Sequence, residues 1–194
     1  MKIIAVTGGI GAGKSIVCDM LRALGHDVYD CDSRAKGIMD GSDIIKHVIA
    51  DEICAAAVVD GVIDRKVLAE VVFSDKAMLD RLNRAVHSAV RDDIVSWAEG
   101  RPVAFVETAI LYQSGLDRIV DEVWNVVAPQ QLRINRVMMR NGFERDHVVR
   151  RVEAQDGFVP DCVHPRVFDL VNDDVQPLLP QLEARLNVLQ TYSR

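Results

Sequence analysis

No two of the four cysteines, Cys18, Cys31, Cys54 and Cys162, stand at CxxC spacing. Neither a zinc site nor a disulfide framework is indicated, and a reducing cytoplasm is the expected location. Positive charge is also short: 23 Lys and Arg face 29 Asp and Glu, a net charge of −6 with a pI near 5.3. Neutralising a nucleic-acid backbone takes a basic surface, so a general nucleic-acid binder is excluded, whereas a small phosphorylated ligand in a local basic pocket is not. The longest unbroken apolar run, Ile53–Val59, is far short of the roughly 18 residues of a membrane span. The N-terminus lacks the charged region, apolar core and small-residue cleavage site of a secretory signal, so the mature protein is expected to begin at Met1. Repeats and low-complexity tracts are absent.

What is present suffices for one substantial core. With 194 residues, 49% of them hydrophobic, the length favours one domain carrying a helical insertion. Lys2–Val6 is a short apolar run rich in β-branched residues, and Val17, Met20, Leu21 and Leu24 follow at helical spacing with Gly25 as the stop. Asp27–Asp30 reads as a second strand closing a βαβ unit, which brings Asp30 and Asp32 to the carboxyl edge of the sheet near the glycine loop. From Ser33 to Gly100 the pattern is mainly helical, with a turn at Asp60-Gly61 and Ser74 as cap of the helix opening at Asp75. Further strands are predicted over 103–107, 121–127 and 168–171, the fourth ending before Pro129 at a helix start. A last helix over Pro177–Leu189 places Leu178, Leu179, Leu182 and Leu186 on one side, to cover the sheet.

The segment Gly8-Gly9-Ile10-Gly11-Ala12-Gly13-Lys14-Ser15 matches GxxxxGK[ST] in full, between a predicted strand and a predicted helix. Glycines let the backbone wrap a phosphate with its N–H groups at a helix N-terminus, where the dipole favours an anion. Lys14 adds a mobile cation for the β/γ oxygens, and Ser15 offers a hydroxyl to Mg²⁺. A dinucleotide fingerprint fails on spacing, because GxGxxG would need glycine at position 14 or 16, where Lys and Ile stand. With no NKxD-type guanine-reading segment after the later strands, a kinase of small molecules is the better branch.

Asp32 is placed to orient an acceptor hydroxyl and to take its proton as a loose phosphoryl-transfer transition state collapses. Asp30 and Asp32 also read as loop acids or helix caps. Glu107, ending the third strand, stands where P-loop proteins put a carboxylate acting through water on the metal, and a solvated strand-end acid fits the same position. Arg133, Arg136, Arg140, Arg145, Arg150 and Arg151 face only Glu144 and Asp146 between residues 133 and 151. That segment is either a solvated helical face or a lid that closes on phosphates, with Arg140, next to the Asn141-Gly142 hinge, as the transition-state cation. His87 is a helix histidine that serves packing or a ligand, and Cys31 a small buried side chain or a reactive thiol.

Taken in order, GGIGAGKS, VYDCD, DGVIDRKVLAEVVFSD, LNRAVH, VEAQ and FDLVND resemble dephospho-CoA kinase along nearly the whole chain. The P-loop is common to many families, whereas the DG-x-IDR, LN-x-x-x-H and VxND elements in this order are far more specific. The resemblance implies an α/β P-loop NTPase fold, a five-stranded parallel sheet flanked by helices. Its core spans about residues 1–32, 101–139 and 161–194, with a helical acceptor insertion over about 33–100 and a lid over about 140–160. It implies transfer of the ATP γ-phosphate to the ribose 3′-hydroxyl of dephospho-CoA, with Mg²⁺ as cofactor and a monomer or weak homo-oligomer as the working form. ATP would be held by Gly11, Ala12, Gly13, Lys14, Ser15 and Ile16, with Arg140 from the lid and Asn172 near the adenine. Asp32 would be the base, and Thr7, Arg65 and His87 would face the acceptor. Ile16, Lys36, Ser88 and the stretch Glu107–Gln113 depart from the family's usual residues. The nearest alternative is a P-loop kinase of another nucleotide or small metabolite, and a nucleotide-gated binding module is disfavoured because Lys14, Ser15 and Asp32 are all present.

Overall fold

The computed structural model describes residues 1–191. Strand β1, Lys2–Gly8, is buried continuously from Ile3 to Val6, as a central strand covered on both faces must be. Helix α1, Lys14–Ala23, follows the glycine loop and turns Val17, Cys18 and Leu21 inward, and Gly25 at φ +88° stops it. Strand β2, Val28–Asp30, does not pair with β1. Strand β5, Val103–Glu107, lies between them, and the sheet order is β2-β5-β1-β6-β7, with β6 at Glu122–Val127 and β7 at Val167–Val171. The pairings of β1 with β5, β1 with β6 and β6 with β7 are all parallel. The βαβ unit expected from the first two strands is therefore completed through a skipped position.

One face of this sheet packs on α1 and on α8, Leu178–Thr191. Phe105, Trp124, Leu170, Leu182 and Leu189 are almost wholly out of water, each contributing about 1.5–3 kcal/mol of burial for a side chain of that size. Leu178, Leu182, Leu186 and Leu189 form the inner row of α8, whereas Leu179, expected on that side, is 41% exposed. Position 179 lies one residue off the i, i+4, i+8 row and looks to solvent. Asp121, expected within the fourth strand, lies just before β6, and its carboxylate accepts the Ile3 N–H at 2.7 Å.

Two compact units divide the chain: Met1–Tyr29 with the chain from Ala98 onward, and Asp30–Trp97. The second begins with α2, Cys31–Gly41, capped by Asp30, and α3, Asp43–Val48, capped by Ser42. A π-helical turn over Ile49–Ile53 and a 3₁₀ turn over Ala55–Ala57 lead into a hairpin of β3, Val58–Val59, and β4, Val62–Ile63. Asp60 and Gly61, both at positive φ, make its two-residue turn. Helix α4, Arg65–Ser74, is capped by Asp64, and α5 runs Lys76–Ala98. The expected Ser74 cap is replaced by Asp75, whose carboxylate accepts the N–H groups of Ala77 and Met78. Ser74 instead donates to the Val71 carbonyl behind it, as a hydroxyl in a last helical turn can. Ile45, Ile49, Ala57, Ile63, Leu68, Val72 and Leu82 form this unit's own core. Among the described residues, no helix is long and apolar enough to cross a membrane.

Candidate active site

At the carboxyl end of β1 the chain leaves the sheet through Gly8 and enters α1 at Gly13, which has φ +105°. No side chain caps α1 and no acid lies in its first turn, so the positive end of its dipole is left to an external anion. The Lys14 ammonium reaches back across the loop to the Gly8 and Gly9 carbonyls, at 2.8 and 3.4 Å. Ser15 Oγ donates to Glu107 Oε1 at 3.4 Å, which joins the start of α1 to the end of β5. Burial, reinforced by the neighbouring Glu107 charge, pushes the Cys18 thiol far above its ordinary range and keeps it protonated.

A hydroxyl and a carboxylate are hard oxygen donors of the kind Mg²⁺ takes when phosphates and water complete its shell. Among the described residues no cluster of three His, Cys, Asp or Glu side chains offers a cation site of its own. A cation here would lean on substrate phosphates, and Ser15 with Glu107 fits that arrangement.

Asn172, just past β7, is buried and braces the loop: its Nδ2 donates to the Ala12 carbonyl at 2.8 Å. Helix α6, Gln130–Asn141, supplies Arg136, which donates to the Asn172 carbonyl and Oδ1 and pairs with Asp174. Arg133, on the same helix, donates from Nε to the Ile10 carbonyl at 3.1 Å and grips the Asp156 carboxylate with both terminal nitrogens. Asp156 and Gln155 end α7, Arg145–Asp156, which packs on α6 through Ile134, Val137, Val148 and Val152 with Ile10 of the loop beside them. Arg140 is exposed in the last turn of α6, its Nε donating to Asn141 Oδ1, and Gly142 closes the helix at φ +64°. Ile16 is largely exposed on the first turn of α1. Thr7 lines a cavity of about 170 Å³ together with Gly9, Tyr112, Gln113, Asn125 and Gln155.

Asp32, Arg65 and His87 belong to the second unit and are described within it. Asp32 is exposed in the first turn of α2, and its backbone N–H is taken by the Asp30 cap. Arg65 opens α4, with one guanidinium nitrogen on both oxygens of Asp40 at 2.8 and 2.9 Å. His87 is half-buried on α5, and burial followed by the Arg91 charge holds its imidazole below the ordinary range.

The composition of the phosphate loop was legible in one contiguous motif, but its supports were not. Arg133 and Gln155 reach Ile10 only through folding, Asp156 holds Arg133, and Arg136 holds Asn172. In the sequence they showed only as an arginine excess before position 151 and as the VEAQ element of the resemblance.

The dephospho-CoA kinase family model matches residues 2–157. The chain belongs to the dephospho-CoA kinase family. It is thereby an ATP-dependent phosphotransferase. The Porphyromonas gingivalis dephospho-CoA kinase is 35% identical over 158 residues, 80% of this chain and 78% of that protein. A crystal structure of TT1252 from Thermus thermophilus superposes with a TM-score of 0.73 at 30% identity, covering 98% of this chain and 97% of that one. The dephospho-CoA kinase of Campylobacter jejuni, 23% identical with a TM-score of 0.67 over 100% of this chain and 98% of its own, shares the fold. The α/β fold with its five-stranded parallel sheet is the one the family resemblance implied.

Proposed function

We propose that this protein transfers the γ-phosphate of ATP to the 3′-hydroxyl of the ribose of dephospho-CoA, giving coenzyme A and ADP, the last step of coenzyme A synthesis. The observation that carries the reading is the uncapped start of α1, with Lys14 and Ser15 on it, in a chain matched by the family model over residues 2–157.

In this reading the amides from Gly11 to Ile16 hold the triphosphate and Lys14 follows the charge on the β/γ oxygens as the terminal phosphoryl leaves. Mg²⁺, held by Ser15 and by Glu107 through water, would neutralise phosphate charge when bound. Asp32 orients the acceptor hydroxyl and takes its proton late in the transfer. Thr7, Arg65 and His87 hold the acceptor, and Arg65 arrives already oriented by Asp40. Arg140 supplies a cation from the lid over about 140–160, and Asn172 serves the adenine side of the site. The protein works in the cytoplasm, a compartment that keeps its four thiols reduced, as a monomer or weak homo-oligomer.

The test is an acceptor panel: MgATP with dephospho-CoA, AMP, CMP or gluconate. ADP release is expected chiefly with dephospho-CoA, and equal or faster turnover of another acceptor would move the protein to a different substrate.

A further inference from the structure

Ile10 stands at the crown of the phosphate loop, and its backbone N–H and carbonyl are each held by one of the two helices that follow β6. Its N–H donates to Gln155 Oε1 at 2.6 Å, and its carbonyl accepts from Arg133 Nε at 3.1 Å. Neither holder is free to swing. Gln155 spends its other amide atom on the Ala109 carbonyl at 3.3 Å, and Arg133 is forked onto Asp156 at 2.9 and 3.0 Å. The Ile10 side chain joins Ile134, Val137, Val148 and Val152, so the same residue is fixed by packing as well.

The glycines around Ile10 complete the arrangement. A Cβ on Gly9 would come within 2.5–2.9 Å of the Arg133 guanidinium, and one on Gly11 would meet the Arg133 carbonyl. The loop therefore approaches α6 as closely as it does because these positions lack side chains. Arg133 is not a spare cation for a phosphate, since Asp156 neutralises it and only 10% of its side chain is exposed.

A loop that binds through its backbone must present its N–H groups in one geometry, and each flexible residue ordered on binding costs affinity. We infer that Gln155, Arg133 and Asp156 are positioning residues that clamp the Ile10 backbone and so hold the phosphate loop in its nucleotide-gripping shape before ATP arrives. The inference rests on the phosphate-loop reading above and adds to it: the last turn of α7 supports the nucleotide site by holding the loop.

The clamp is tested by Gln155→Leu, which removes both amide bonds at similar volume, and by Arg133→Lys, which keeps the charge but loses the fork and the Nε donor. Both are expected to raise KM for ATP and the Kd for ADP about tenfold, the factor set by the net free energy of one hydrogen bond. kcat at saturating ATP and KM for the acceptor should stay near the parent values, as loss of uniform binding requires. A role in folding alone would shrink the active fraction, lowering apparent kcat with KM unmoved, and that result in the two variants would overturn the clamp. Should Gln155→Leu not fold, Arg133→Lys decides by the same measurements. Lys14→Ala run alongside separates the failures: if it destroys ADP binding while the clamp variants leave it intact, the clamp is refuted and the loop reading stands. If no variant moves ADP affinity, both fall.

Discussion

Asn172 has its orientation set by its neighbours, because Arg136 donates to its Oδ1 and leaves Nδ2 for the Ala12 carbonyl. The same Nδ2 occupies the space a side chain at position 13 would need, and Gly13 has φ +105°. Gly13→Ala is therefore expected to cost at least about 1–2 kcal/mol from backbone conformation alone and to abolish nucleotide binding, measured by thermal denaturation and ADP titration. Asp32 tests the chemistry. Asp32→Ala should lower turnover by about 10²–10⁴, the range for a positioned proton acceptor, with ATP affinity little changed; near-parental activity would remove it from the mechanism. His87 adds a pH dependence whose sign follows from its depressed pKa. Where the unfolded imidazole is protonated and the folded one is not, the unfolded state binds more protons, so stability is full above the ordinary His pKa of about 6.5 and declines below it. The melting temperature should fall on acidification from pH 8 to 5.5, and His87→Gln should make that fall shallower.

Among the elements, the boundary between α4 and α5 separates two accounts of one turn. If Asp75 is the cap, Asp75→Ala should cost about 1 kcal/mol and Ser74→Ala much less, read from urea midpoints at constant slope. The opposite order would restore the Ser74 cap. The choice between adjacent Ser and Asp could not be read from sequence because both are good capping residues and only the donor geometry tells them apart. Strands β1 and β5 were legible for the opposite reason: buried parallel strands are near-continuous apolar runs bounded by turns, and their pattern needs no knowledge of the partner. The β3–β4 hairpin was legible only as its Asp60-Gly61 turn, since strands of two residues carry no period. Helix α7 shows the limit most clearly. Its arginines suggested a lid, but the contact of Gln155 with Ile10 spans 145 positions of chain and leaves no local trace. That contact fixes the last turn of α7, whereas α6 ends before it in a left-handed residue at Gly142.

At the scale of the molecule, each unit carries its own hydrophobic core, and the work proposed for them is divided in the same way. The loop proposed to grip the nucleotide, Glu107 and Asn172 belong to the first unit, as does Thr7 among the proposed acceptor contacts, and Asp32, Arg65 and His87 belong to the second. Separate cores allow separate opening, because local stability follows the apolar contacts a region buries. Leu68 is 4% exposed in the core of the second unit, and truncating such a leucine costs about 2–5 kcal/mol, depending on how far the site collapses. Leu68→Ala should therefore speed amide hydrogen exchange across residues 30–97 while leaving the exchange of α1 and the ADP affinity close to the parent. Phosphoryl transfer should fall with the loss of acceptor binding, as a raised KM for dephospho-CoA at unchanged KM for ATP. Exchange rising equally in both units would mean that they unfold as one cooperative body, and the division of labour would then have no counterpart in stability.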